Sequence, residues 1–158
     1  MRLDADDSRS RFGAARHAYL ATADAGGTPH LVPVTFAVLH AGTSAPNDTS
    51  GEPGAGVPTG DEVVVAVDHK PKRTRDLRRL RNLAENPRVA FLVDRYDDDW
   101  THLWWVRADG VATIEQEAEP RATALDALAA RYPQYRERRP DGPVIRVRVT
   151  RWSGWAHE

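Results

Sequence analysis

The stretch DEVVVAVDHKPKRTRDLRRLRNLAENPRVAFLVD, residues 61–94, joins two apolar strand patterns through a strongly basic helical pattern. Its first part, residues 61–68, is a short continuous apolar run, which is typical of a strand buried on both faces. Residues 88–95 alternate between apolar and polar side chains, as a strand with one buried face does. The stretch therefore predicts a strand, a helix and a second strand in that order.

The intervening helix, predicted over residues 71–85, combines an apolar stripe with an excess of positive charge. Leu77, Leu80 and Ala84 have helical spacing, so we expect them to face the core. Seven of the twelve residues from 70 to 81 are lysine or arginine and one is acidic. The whole chain, by contrast, has a formal net charge of −1.

This local charge has three explanations: a solvated surface, a nucleic-acid footprint, or a site for a small phosphorylated molecule. Lys72, Arg75, Arg79 and Asn82 fall on one stripe of the predicted helix. Cations spaced four residues apart on a helix repel each other, and a bound anion would relieve that repulsion. The near-neutral chain argues against a dedicated nucleic-acid binder. We therefore favour a phosphate or carboxylate clamp and expect no nucleic-acid partner.

The rest of the chain adds strands on both sides of this stretch. Further strands are predicted at residues 17–23, 28–40, 101–117 and 143–155, and a second helix at residues 118–131. The first two of these strands form a predicted hairpin. The third is expected to bend near Asp109 and Gly110. Residues 41–60 are rich in Gly, Pro, Ser and Thr, which indicates a flexible insertion.

The predicted order of elements, β-β-β-α-β-β-α-β, indicates a mainly β fold with two helices. Several neighbouring strands have hairpin-length links, which differs from the strict alternation of a doubly wound sheet. Regular strand spacing favours a closed or partly closed antiparallel barrel of six strands. A length of 158 residues is expected to form a single domain over residues 1–158.

Several classes of function are disfavoured by what the sequence lacks. The chain has no cysteine, so it has no thiolate nucleophile or zinc–thiolate site. The acidic residues at 94–99 lack the spacing of a calcium loop, and the six histidines form no zinc-hydrolase motif. No secretory signal or membrane span is visible, so we expect a cytoplasmic protein with no membrane partner and no metal. A protein with an anion-binding site and no catalytic motif of its own most simply obtains its chemistry from a bound cofactor.

The segment HLWWVR, residues 102–107, places large apolar side chains on both faces of its strand. Leu103 and Trp105 point one way, and Trp104 and Val106 point the other. A second apolar face on a strand indicates a subunit interface or a pocket for a planar ligand, unless the strand is buried within one subunit.

Three segments together resemble the pyridoxamine-phosphate-oxidase-like, FMN-binding split-barrel family. They are HAYLATADAGGTPHLVPVTFAV (17–38), the stretch 61–94, and DDDWTHLWWVRADGVATI (98–114). The first two are typical of the family at large. The third is similar to the branch expected to use the deazaflavin coenzyme F420.

This resemblance implies a homodimer of six-stranded antiparallel split β-barrels, with the cofactor in a groove at the dimer interface. The implied cofactor-binding residues are Pro33, Val34, Thr35 and Phe36 along the ring, Val65, Ala66 and Val67 as a second wall, and Lys70, Lys72, Arg79 and Asn82 at the phosphate. Backbone amides of the first segment would hold the carbonyl edge of the ring. Arg73, Arg75 and Arg78 are candidates to meet the anionic tail of F420. No catalytic residue is implied.

The implied activity is hydride transfer between the deazaflavin ring and a small unsaturated substrate. An FMN-dependent oxidoreductase of the pyridoxamine-phosphate-oxidase type and an F420-binding protein without turnover remain alternatives, because FMN and F420 share a ribityl phosphate. A nucleic-acid binder using the basic helix ranks last.

Overall fold

The fold is given by a computed structural model, which describes residues 1–40, 60–67 and 75–157. The strands are β1 (Arg2–Leu3), β2 (Ala18–Ala23), β3 (Pro29–Val34), β4 (Ala37–His40), β5 (Asp61–Ala66), β6 (Arg88–Arg95), β7 (Trp104–Glu115) and β8 (Val144–Ala156). The helices are α1 (Ala5–Ala14), α2 (Arg75–Glu85), α3 (Ala118–Arg131) and α4 (Pro133–Glu137), with a 3₁₀ turn at Trp100–His102. None of the helices within the described ranges is long and apolar enough to cross a bilayer.

All strands belong to one antiparallel sheet in the order β3-β2-β6-β7-β8-β5-β4, with β1 added beside β8. The two ends of this order, β3 and β4, are consecutive in the chain, with only Thr35 and Phe36 between them. The chain itself therefore connects the two edges and curls the sheet into a barrel. The predicted mainly β, antiparallel split-barrel fold is confirmed.

The predicted counts of six strands and two helices are wrong. The single strand expected over residues 28–40 is broken at Thr35 and Phe36 into β3 and β4, and β1 adds a further two-residue strand. A residue far away in the sequence stabilises this break: Phe36 N–H donates to the Tyr132 hydroxyl (3.1 Å), and that hydroxyl donates to the Phe36 carbonyl (3.0 Å). These bonds replace those that a partner strand would make. The described residues contain four α-helices, because α1 and α4 add to the two predicted ones.

One end of the barrel is closed by α1. Its Phe12 is fully buried, with ring centroids 4.7 Å from Phe36, 6.1 Å from Phe91 and 5.1 Å from Trp152. Edge-to-face and tilted aromatic contacts at these separations are favourable beyond their buried area. The helix begins at the N-cap Asp4, whose side chain accepts a hydrogen bond from Asp7 N–H.

The bend predicted at Asp109 and Gly110 is confirmed as a register shift between β7 and β8. A Cβ added at Gly110 would lie 2.5 Å from the Arg148 carbonyl oxygen and 2.6 Å from Val147 Cγ1. Only glycine therefore allows the two backbones to approach this closely.

We expect Gly110→Ala to lower the free energy of unfolding by about 1–3 kcal/mol, because an added methyl would force the strands apart. Urea denaturation measures this change. Gly13→Ala in α1 is the matched control, since its added Cβ meets nothing within 4 Å and alanine favours a helix by up to ~1 kcal/mol. Equal stability of the Gly110 variant and the wild type would contradict the packing explanation.

Candidate functional site

The basic helix α2 packs on the sheet through part of the predicted apolar stripe: the prediction for Leu80 is confirmed, and the side chain of Leu77 lies outside the described residues. Leu83 is buried in the barrel core, Leu80 packs against it, and Ala84 is exposed. The prediction that Ala84 faces the core is therefore wrong. Rolling the helix toward Leu83 buries a larger apolar side chain than Ala84 offers.

Asn82, a predicted cofactor ligand, is buried and holds α2 on the sheet. Its side-chain amide donates to Thr22 Oγ1 of β2 at 3.1 Å. Glu85, one turn later, accepts a hydrogen bond from Ala25 N–H in the turn between β2 and β3 (3.0 Å). The face of α2 that carries Asn82 therefore lies against the β2–β3 hairpin rather than in open solvent.

Arg79 precedes Asn82 by three residues on that face and is half-buried. Across from it lies His30 of β3, whose cross-strand partner is Thr22. Burial lowers the pKa of His30 below its usual 6.5, and the positive charges of Arg78 and Arg79 lower it further. We call Arg78, Arg79 and His30 the cationic patch.

One ring nitrogen of His30 in the cationic patch has no hydrogen-bond partner within the described part of the chain. Its Nδ1 is buried without a hydrogen-bond partner there. A buried polar atom of this kind usually has a partner in the working protein. Because the surrounding charge is positive, an anion suits this position better than another cation.

Of the other predicted cations, the structure places few. Lys70, Lys72 and Arg73 lie outside the described residues, and of Arg75 only the backbone within α2 is described. Their roles stay predictions.

The predicted ring-binding segment, Pro33 to Phe36, bridges β3 and β4 at the break in the barrel. Val34 and Phe36 are buried in the core, while Pro33 is exposed. Thr35 Oγ1 lies 2.8 Å from the Tyr135 hydroxyl. Proline has no N–H, and the Phe36 N–H already bonds Tyr132. The amides of Pro33 and Phe36 therefore cannot contact a ring, and the contacts predicted for the rest of this segment stay predictions.

The predicted second wall, Val65, Ala66 and Val67, is buried within the chain. Val65 and Val67 belong to the barrel core, and Ala66 belongs to a second cluster under α3. Val67 N–H also donates to the Pro143 carbonyl (3.1 Å). These side chains are therefore buried within the single chain, and their role as a second wall of the cofactor site stays a prediction.

An apolar surface covers the outside of the barrel across β3, β2, β6 and β7. Pro33 pairs with Tyr19 and Tyr19 with Leu92, so these three lie side by side. Leu31 is 65% exposed, and Leu92 and Trp105 are each 39% exposed. We call Tyr19, Leu31, Pro33, Leu92 and Trp105 the outer apolar face. Sequence analysis anticipated only the contribution of Trp105, because the other members come from three separate strands.

Comparison with known proteins gives a family and several structural relatives. The family model of pyridoxamine 5'-phosphate oxidase matches residues 6–156. A conserved hypothetical protein from Mycobacterium tuberculosis superposes with a TM-score of 0.67 at 21% identity, covering 99% of this chain and 86% of its own. An FAD-binding protein from Mesorhizobium loti gives a TM-score of 0.67 at 18% identity, covering 98% and 95%.

A third structural relative is described as storing heme rather than binding a flavin. The heme storage protein HutZ from Vibrio cholerae gives a TM-score of 0.61 at 18% identity, covering 99% of this chain and 95% of its own. Among curated proteins, none matches the chain with statistical significance. At these identities the structural likeness establishes the fold.

Proposed function

The chain belongs to the pyridoxamine 5'-phosphate oxidase family, and from this premise we propose that it is a coenzyme F420-dependent oxidoreductase. The observation that carries the proposal is the cationic patch. Two guanidinium groups and a histidine with an unpartnered buried nitrogen meet between α2 and β3. A phosphate or carboxylate bound there would offset the repulsion between the two guanidinium groups and give His30 Nδ1 a partner.

The fit of the cofactor follows from charge and from the neighbouring surface. The phosphate of F420 would lie against Arg79 and His30, with Arg78 placed to meet its anionic tail. The ring would lie toward Pro33, at the border of the outer apolar face. Leu31, two residues earlier in β3, belongs to the same face. F420 supplies hydride chemistry when bound, and the chain's own residues bind it, orient it and exclude water. The substrate class is a small unsaturated organic molecule.

FMN is the second candidate cofactor, and a specific observation favours it. One structural relative is described as an FAD-binding protein, and the patch suits any ribityl phosphate. A chain using FMN would act as an oxidoreductase of the pyridoxamine-phosphate-oxidase type. A chain that holds F420 without turnover is the remaining alternative.

A turnover assay separates these functions. Purified protein is mixed with reduced F420 and a panel of unsaturated acceptors, and the return of oxidised F420 absorbance is followed. The proposal predicts return with at least one acceptor at a rate that depends on protein concentration. Binding of F420 without any return across the panel would favour the non-catalytic alternative, and a yellow preparation with a flavin spectrum would favour FMN.

The outer apolar face supports assembly into a homodimer, with the cofactor groove along its border. Exposed leucine and tryptophan side chains on β3, β6 and β7, with Tyr19 of β2 between Pro33 and Leu92, mark an interaction surface. A second copy of the same barrel would bury them and complete the groove beside Pro33.

We expect Leu92→Asp to shift the protein from dimer toward monomer, because a buried unpaired carboxylate is costly at an interface. Sedimentation velocity measures the change. Thr113→Asp on β7 is the control, because Thr113 is exposed and lies outside the outer apolar face. A wild-type monomer, or a dimer unaffected by Leu92→Asp, would contradict this interface.

A further inference from the structure

A cavity of about 470 Å³ opens between α1, β4 and α3. It lies at the opposite end of the barrel from the cationic patch. Arg11 of α1 stacks over Trp104 at the start of β7, with its Cζ 5.4 Å from the ring centroid. The Pro87 carbonyl, just after α2, accepts a hydrogen bond from Ala112 near the end of the same strand (2.8 Å). The cavity is therefore separate from the proposed cofactor site.

One of its two arginines, Arg9, is already neutralised. Its Nε donates to Asp61 Oδ2 at 2.7 Å, and its Nη1 lies 3.0 Å from Asp6 Oδ1. Asp61 is buried and also accepts from Trp152 Nε1 (3.0 Å). Arg9 is thus already engaged by two carboxylates.

The second arginine, Arg131 of α3, is held in place without a carboxylate. Its Nη2 donates to the Ala15 carbonyl (2.5 Å), and its Cζ lies 4.7 Å from the Phe36 ring centroid and 5.5 Å from that of Tyr132. Among the described residues, no Asp or Glu side chain lies within ion-pair distance of it. A guanidinium has five N–H donors, so most of its capacity is open to a ligand in the cavity that it lines.

The remaining lining supplies both polar and apolar contacts. Ser10 of α1 contributes a hydroxyl, and His40 of β4 contributes an imidazole whose Nδ1 lies 3.0 Å from Asp61 Oδ1. This contact directs the His40 Nε2 away from Asp61. Val38 and Gly13 form an apolar part of the wall. Cavities of several hundred Å³ with a few convergent polar groups are typical ligand sites.

We propose that this cavity binds a small organic monocarboxylate, with Arg131 as its anchor. Arg131 matches a single negative charge, while Asp6 at the rim disfavours a dianion such as phosphate. The Val38 and Gly13 wall suits a carbon skeleton attached to the carboxylate. This site would hold a substrate or effector apart from the cofactor.

The test blocks the cavity without touching its charged groups. A Cβ at Gly13 meets nothing within 4 Å, so Gly13→Leu extends into open space while preserving α1. Binding of benzoate, acetate and inorganic phosphate is measured by calorimetry and by amide chemical shifts. We expect wild type to bind benzoate saturably with shifts centred on Ser10, Gly13 and Arg131, and Gly13→Leu to weaken it at least about tenfold.

Ala14→Leu is the matched control, because Ala14 is the neighbouring residue of α1 and is exposed. It should leave benzoate affinity unchanged, and both variants should bind F420 or FMN like wild type. Unchanged benzoate binding in Gly13→Leu, shifts centred elsewhere, tighter binding of phosphate than of benzoate, or the absence of saturable benzoate binding would each overturn the proposal.

Discussion

Replacing Arg79 by glutamate is expected to weaken binding of F420 or FMN by about 100-fold or more. A hydrogen bond to a charged group contributes roughly 1.5–3 kcal/mol, and the introduced carboxylate adds repulsion toward the phosphate. Each ~1.4 kcal/mol corresponds to a tenfold change in affinity. Cofactor titration followed by fluorescence or absorbance measures the loss.

Arg81→Glu is the matched control for this variant. Arg81 lies on the same helix and carries the same charge. It is exposed, and its position two residues after Arg79 puts it on a different face of the helix. Both variants change the net charge equally, so a long-range electrostatic effect would weaken binding in both. The proposed site requires a large loss only for Arg79→Glu, with thermal unfolding of both close to wild type. Equal affinities in the two variants would remove Arg79 from the site.

Replacing Asp61 by alanine is expected to lower the free energy of unfolding by about 3–5 kcal/mol, as when one partner of a buried ion pair is removed. Asp61 is 4% exposed and accepts hydrogen bonds from Arg9, Trp152 and His40. Without it, the Trp152 N–H is left unpaired in a buried site and Arg9 loses its inner partner. Urea denaturation of the two proteins measures the difference.

The control for Asp61 is an exposed ion pair of the same chemistry. Asp126 Oδ1 lies 2.8 Å from Arg139 Nη2, and the Asp126 side chain is 71% exposed. Solvent screens such pairs, so Asp126→Ala should cost under ~1 kcal/mol. A similar small loss for Asp61→Ala would show that the buried cluster does not organise the end of the barrel near α1.

The pH dependence of this cluster follows from the pKa of Asp61. Burial alone would raise the pKa, but hydrogen bonds from His40, Trp152 and Arg9 and the charge of Arg9 outweigh it and leave the pKa lowered from 3.8. A carboxyl whose folded pKa is lowered contributes stability that is complete above its unfolded pKa. The stability difference between wild type and Asp61→Ala should therefore narrow as the pH falls below 3.8 and stay constant above it.

Local patterns in the sequence were sufficient to predict most of the strands and the bend in β7. Alternation and apolar runs placed β2, β5, β6 and β8, because each strand's period is set by its own residues. The helix predicted at residues 118–131 coincides with α3. The Asp109-Gly110 bend was predictable because glycine within a strand marks a close approach or a bulge.

The predictions from sequence are wrong where residues far apart in the chain determine the local geometry. The break between β3 and β4 depends on Tyr132, 96 positions from Phe36, and the roll of α2 depends on the Asn82 bond to Thr22, 60 positions away. The carboxylate-binding cavity likewise joins α1, β4 and α3. Its anchor, Arg131, could not be recognised from local spacing, because what distinguishes it is its surroundings in the fold.

The most direct test of the cofactor proposal is an equilibrium titration of the purified protein with F420 and FMN side by side. Deazaflavin fluorescence and flavin absorbance report binding of each. The proposal predicts saturable quenching of F420 with a dissociation constant on the order of micromolar, about −8 kcal/mol, and weaker binding of FMN. If neither cofactor produces a saturable change at high protein concentration, the cationic patch does not hold a redox cofactor and the proposed oxidoreductase function is wrong.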